Sequence, residues 1–139
     1  LAVEESPDAV IDIATLTGAC VVALGPKIAG LLGTSQALVE QVKSAAERAD
    51  EPVWQLPLPA EYRKMLDSNV ADLRNIGGPY GGTVTAALFL REFVGDTPWA
   101  HLDIAGPMNV DADEGWLSKG ATGFGTRLLI EAALAFSWP

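Results

Sequence analysis

The sequence predicts an α/β fold with helices packed on both faces of a central sheet. Three observations carry that expectation. Ala9–Ala14 (AVIDIA) and Trp99–Ile104 (WAHLDI) are short runs, rich in apolar residues, of strand length. Between and after them lie longer segments with helical periodicity, so strands and helices alternate along the chain. The composition, 49% hydrophobic and 19% charged over 139 residues, supplies a real core and fits one domain or part of one.

The elements follow in order. Leu1–Glu5 reads as the last turns of a helix stopped before Pro7, and with Leu1 in place of a methionine the chain is expected to be a fragment. Ala9–Ala14 is expected to be a strand buried on both faces. Thr15-Leu16-Thr17-Gly18 is the tight turn that leads into a short helix. Ile28–Gly33 (IAGLLG) is a second strand, weakened by Gly30 and Gly33. Thr34 or Ser35 caps a helix to about Ala49, on which Leu38, Val42, Ala45 and Ala49 share one face. Pro52–Pro59 is too proline-punctuated for a central strand, and Pro59 can open a short helix. Ser68–Tyr80 reads as a crossing loop. A helix that is apolar nearly all round follows Gly82 and stops at Gly95. Asn109–Lys119 reads as polar and irregular, and the last helix is expected to start at Thr122-Gly123 and run through Phe136.

The charge and composition narrow the function. A net charge of −9 opposes binding to nucleic-acid phosphates. No apolar run is long enough for a membrane-spanning helix. The single cysteine, Cys20, excludes an internal disulfide and a cysteine-rich metal site, and its apolar neighbours suggest a packed thiol. His101 is the only histidine, so a multi-histidine metal site is excluded and a hydrogen-bonded structural role is expected. Asp12 and Asp103 lie inside strands, where a carboxylate needs partners; each is either functional or an organiser of the adjoining turns.

The turns after the strands are where α/β proteins place ligands. Main-chain groups at Thr15–Gly18 could hold an anion or an amide substrate, or the segment is a plain strand-to-helix turn. Gly77–Gly82 (GGPYGG) fits neither nucleotide fingerprint, having no strand directly before it and no Gly-Lys-Ser/Thr ending. Asn109–Gly115 resembles a calcium loop only superficially, because its glycine is one place late and the final glutamate is missing. Met108 either lines an apolar pocket or fills space. No Ser/His/Asp set is legible.

Five stretches occur in a characteristic order: DIATLTGA (Asp12–Ala19), ADLRNIGG (Ala71–Gly78), TAALFLREFV (Thr85–Val94), PWAHLDIAG (Pro98–Gly106) and KGATGFGTRLL (Lys119–Leu129). Together they resemble the C-terminal part of the leucyl aminopeptidase, or cytosol aminopeptidase, family over almost the whole chain. The resemblance implies a three-layer α/β/α catalytic domain with a mixed central sheet, present only in part across residues 1–139. It implies a cytoplasmic homohexamer that hydrolytically removes N-terminal residues, preferably leucine-like, from peptides. Two divalent ions (manganese, zinc or magnesium) would polarise the scissile carbonyl and activate water, with bicarbonate as proton carrier.

The family's metal-binding lysine and carboxylates, its catalytic lysine and its bicarbonate-holding arginine precede the matched region. The resemblance therefore implies no catalytic and no metal-binding residue in this chain, and an inactive isolated fragment. It implies a substrate-facing wall instead. Thr15, Leu16 and Gly18 would sit beside the metals, with the Leu16 carbonyl and Gly18 amide on the peptide main chain. Ala105 and Met108 would line the pocket for the first substrate residue and Ile76 the pocket for the second. Two other classes remain open from the residues alone: an anion- or nucleotide-binding α/β module, and a non-catalytic assembly domain. Truncation is also expected to leave surfaces that self-associate.

Overall fold

The computed structural model describes residues 1–139. Strands β1 (Val10–Ala14), β2 (Ala29–Gly33), β3 (Val53–Gln55) and β4 (Trp99–Asp103) form one sheet in the order β1-β4-β2-β3. β1 runs parallel to β4 with Asp12 opposite His101, β4 is antiparallel to β2, and β2 is parallel to β3, so the sheet is mixed. Helices α1 (Gly18–Leu24) and α3 (Gly82–Arg91) cover one face, and α2 (Gln36–Ala49) and α4 (Thr126–Leu134) the other.

The two faces follow from strand alternation. Leu31, Ala100 and Leu102 point to one side and pack with Leu38, Val39, Val42, Ala45, Ala46 and Ala49 of α2 and with Leu128 and Ala132 of α4. The fully buried Leu38, Val39 and Val42 each contribute about 1.5–3 kcal/mol of transfer free energy. Leu32 and Trp99 point to the other side, against Ala87 and Val94. α2 starts where its sequence demands, with the Ser35 hydroxyl accepting from the Leu38 amide at 3.3 Å.

Several local expectations are corrected. Within these 139 residues β1 pairs only with β4 and is half-buried at every position, where burial on both faces is expected. Leu1–Glu5 forms a single 3₁₀ turn over Ala2–Glu5 that ends at a left-handed Ser6. The helix after Gly82 stops at Arg91, and the chain turns on to Gly95. The last helix begins at Thr126, four residues late, because Gly123 (φ +70°) and Gly125 (φ +91°) are left-handed; it ends at Leu134, before Phe136. Asn109–Lys119 is not simply irregular. Two short strands, β5 (Asn109–Val110) and β6 (Gly120–Ala121), pair antiparallel and close it into a loop.

Candidate functional site: two turns held by one carboxylate

Asp103 ends β4 and is fully buried. A buried carboxylate must accept hydrogen bonds to offset its lost hydration, and this one accepts four. Oδ1 takes the amides of Leu16 (3.1 Å), Thr17 (3.3 Å) and Ala105 (3.2 Å), and Oδ2 takes the Thr17 hydroxyl at 2.6 Å. One side chain therefore ties the turn after β1 to the turn after β4.

Thr17 extends the network. Its only hydroxyl proton goes to Asp103, so its oxygen accepts from the Cys20 amide (3.1 Å), capping α1, and from the Thr83 hydroxyl (2.9 Å). Thr83 lies in the first turn of α3, which is thereby drawn against the same turn. Cys20 is fully buried beneath it, with Sγ 3.6 Å from the Asp103 carbonyl. Burial pushes the Cys20 thiol up, and the Asp103 charge adds to the rise. Gly30 packs closely opposite, where a Cβ would lie 3.0 Å from that sulfur.

The turn after β4 is equally constrained. The Thr122 hydroxyl donates to the Pro107 carbonyl at 2.6 Å and its amide to the Met108 carbonyl at 3.0 Å. Gly106 presses on the Gly25 carbonyl so closely that a Cβ would collide with it.

The six expected substrate-facing residues are placed unequally. Thr15, Leu16 and Gly18 are exposed on the first turn, and a Cβ at Gly18 would meet nothing within 4 Å. Ala105 is half-buried and shares the Asp103 Oδ1 with Leu16. Met108, 42% exposed, follows one turn on. Ile76, 72% exposed, belongs to neither core cluster. Its segment reaches the site only through α3, where Gly77 lies so close to Thr85 that a Cβ would stand 2.8 Å from the threonine Cβ.

His101 Nδ1 and Asp12 Oδ1 are 2.6 Å apart, which superficially suggests an acid–base dyad. The imidazole is fully buried and its Nε2 has no partner, so it has no access to a substrate. No three His, Cys, Asp or Glu side chains converge as metal ligands. These residues do not fit a two-metal site by themselves, and the acidic Asn109–Gly115 segment does not make one.

Sequence reasoning flagged Asp103 but missed Thr83, Thr122 and Glu51. Glu51 is buried on α4's side, accepting from the Leu128 amide (2.9 Å) and facing Arg127 (3.4 Å). A threonine in a helix, one in a loop and a glutamate beside a proline carry no local signal; their partners are 15 to 77 residues away.

The comparisons agree with this architecture. A family model described as "Cytosol aminopeptidase family, catalytic domain" matches residues 1–130. A Synechococcus protein named "Probable cytosol aminopeptidase" is 53% identical over 128 residues, 92% of this chain and 25% of its own length. One of the same name from Rhodopirellula baltica is 52% identical over 131 residues, 94% of this chain and 26% of its own. The chain thus spans about a quarter of the curated relatives it matches. Among solved structures, the bottromycin maturation enzyme BotP in complex with Mn superposes with a TM-score of 0.88 at 45% identity, covering 93% of this chain and 29% of that one. A point mutant of tomato leucine aminopeptidase gives 0.90 at 41%, covering 97% and 26%. With its fold, its ordered motifs and its relatives in agreement, the chain belongs to the cytosol aminopeptidase family, within the catalytic domain.

Proposed function

We propose that this chain is the substrate-gripping part of a dimetal leucyl aminopeptidase that releases N-terminal, leucine-like residues from peptides. The observation that carries this reading is the Asp103 carboxylate, which consumes the Leu16, Thr17 and Ala105 amides and ties the turn holding exposed Thr15, Leu16 and Gly18 to the turn that follows β4.

A peptide offers the same main-chain groups whatever its side chains. The Leu16 carbonyl and the Gly18 amide, at the start of α1, suit that constant feature, and the open space at Gly18 admits a second backbone. Ala105 and Met108 line the slot for the first residue; a small side chain beside a pliable thioether accepts leucine and methionine. Ile76 lines the wall for the second residue. The divalent ions, when bound, supply Lewis-acid polarisation of the carbonyl and an activated water. The solved BotP complex with Mn supports divalent-metal use in relatives. We place the donors for those ions outside these 139 residues, and the isolated chain is accordingly inactive. In the same reading the protein acts in the cytoplasm as a homohexamer; the exposed Ile130, Leu134 and Trp138 near the chain's last helix support self-association.

The test is an assay of leucine p-nitroanilide hydrolysis on the full-length gene product with Mn²⁺, beside the 139-residue chain alone. Turnover by the former and none by the latter is expected. Turnover by the short chain carrying two tightly bound metals overturns the placement of the ligands, and an inactive full-length protein overturns the reading. Light scattering that finds a clean monomer counts against the assembly.

A further inference from the structure

We propose that Thr122 is a positioning residue for substrate selectivity: it pins the two peptide planes that flank Met108 and so fixes where that side chain stands in the slot for the first substrate residue. The inference rests on the proposed aminopeptidase reading, which assigns Met108 to that slot. It starts from the KGATGFGTRLL stretch, whose Thr122 that reading leaves without a role. The Thr122 hydroxyl donates to the Pro107 carbonyl at 2.6 Å, and the Thr122 amide donates to the Met108 carbonyl at 3.0 Å. The Met108 amide itself donates to the Ile104 carbonyl at 3.1 Å. The plane before Met108 is thus held at both of its polar groups, and the plane after it at its carbonyl. Peptide units are rigid, so φ turns only the first plane and ψ only the second. With both planes held, the direction of the Met108 Cα–Cβ bond is set.

The other restraints on this turn stop short of Met108. Asp103 reaches along it only to the Ala105 amide, at 3.2 Å, and Gly106 packs on the Gly25 carbonyl. A methionine side chain is unbranched and adaptable, so it discriminates between substrates only as far as its root is fixed.

The hydroxyl is itself aimed. A free hydroxyl rotates to suit its surroundings, but this oxygen also accepts from the Phe124 amide at 3.1 Å, which leaves its one proton for Pro107. Branching at Cβ narrows the choice of χ1 and keeps the oxygen in place. Pro107 is buried, so its carbonyl needs a protein partner, and the Thr122 hydroxyl is the one it has. Thr122 thus spends its hydroxyl and its amide on consecutive carbonyls of one short segment, and the residue common to both planes is Met108.

The experiment measures kcat/KM of the full-length gene product with Mn²⁺ on leucine and alanine p-nitroanilides. Thr122→Val keeps the shape and removes the hydroxyl. It should lower kcat/KM for the leucine substrate about tenfold, the low end of what a methylene in a pocket contributes, and for the alanine substrate less than about twofold. Thr122→Ser keeps the hydroxyl and should hold the leucine-to-alanine ratio within about twofold of wild type; it decides the matter where the valine variant does not fold. Val42→Ala, in the fully buried core of α2, should lower stability and leave the ratio unchanged. In a Met108→Ala background, Thr122→Val should no longer alter the ratio, because no side chain is left to position. A serine variant that loses the ratio, a folded valine variant that keeps it, or an equal loss in Val42→Ala overturns the inference. Absence of turnover by the wild-type protein, or a ratio that Met108→Ala leaves unchanged, overturns instead the reading beneath it.

Discussion

The two turns joined by Asp103 and the Ser68–Tyr80 segment, which we propose face one substrate, are built by opposite means. The turns leave two strands of the main sheet, share one fully buried carboxylate and pack on buried Cys20. Ser68–Tyr80 contains no buried residue and no helix or strand. It is held by the Ser68 hydroxyl accepting the Val70 and Ala71 amides, by the Arg74 amide donating to the Leu66 carbonyl, and by the fit of Gly77 on Thr85. The lesson is a division of labour. In the proposed reading, the part that would meet the invariant peptide backbone is fixed by the sheet, and the wall for the variable second residue is carried on a loop that can change without cost to the core.

This contrast orders the expected effects of mutation. Asp103→Ala strands three amides and a hydroxyl and should cost about 4 kcal/mol, the largest loss, measured by urea unfolding. A cost below about 1 kcal/mol would show that the turns hold themselves. Gly106→Ala drives a methyl into the Gly25 carbonyl, a backbone atom that cannot rotate aside, and should cost about 3 kcal/mol in the same measurement. Thr17→Val keeps the shape but removes the cap on Cys20 and the links to Asp103 and Thr83. About 2 kcal/mol is expected.

Cys20 tests the sealing of the rigid region. Its thiol should resist an aromatic disulfide reagent at mildly alkaline pH until denaturant is added. Because burial raises its pKa in the folded state, the associated stability is intact below the ordinary thiol range. It is lost as pH rises through the folded value, so unfolding should become easier there. Rapid labelling of the native protein would contradict that. Ile76→Ser should be the mildest for folding, within about 0.5 kcal/mol, yet it should change the preference for the second substrate residue when dipeptides are compared. A large stability loss at Ile76 would erase the distinction between the two regions.

Much of the fold was legible because it is encoded locally. The capping Ser35, the face of α2 and the strand-turn-helix at Asp12–Leu24 are all readable over windows of a few residues, and each forms where expected. The start of α4 was not legible. Thr122 looks like a helix cap, but its hydroxyl is engaged by the Pro107 carbonyl, and two left-handed glycines delay the helix. The β5–β6 pairing was hidden because two-residue strands have no periodicity to read.

By itself the sequence determined the alternation of strands and helices, the composition of the core, and, through five ordered motifs, the family. The first two depend on local propensity and hydrophobic spacing, which neighbouring residues settle among themselves; the family rests on the resemblance of the motifs. Only the tertiary structure decided that β4 lies between β1 and β2, that Asp103 reaches a turn 87 residues before it, and that Asp12 accepts from Trp99 and faces His101. A buried charge must find donors wherever the chain brings them, and which donors those are is fixed by strand order and register rather than by distance along the sequence.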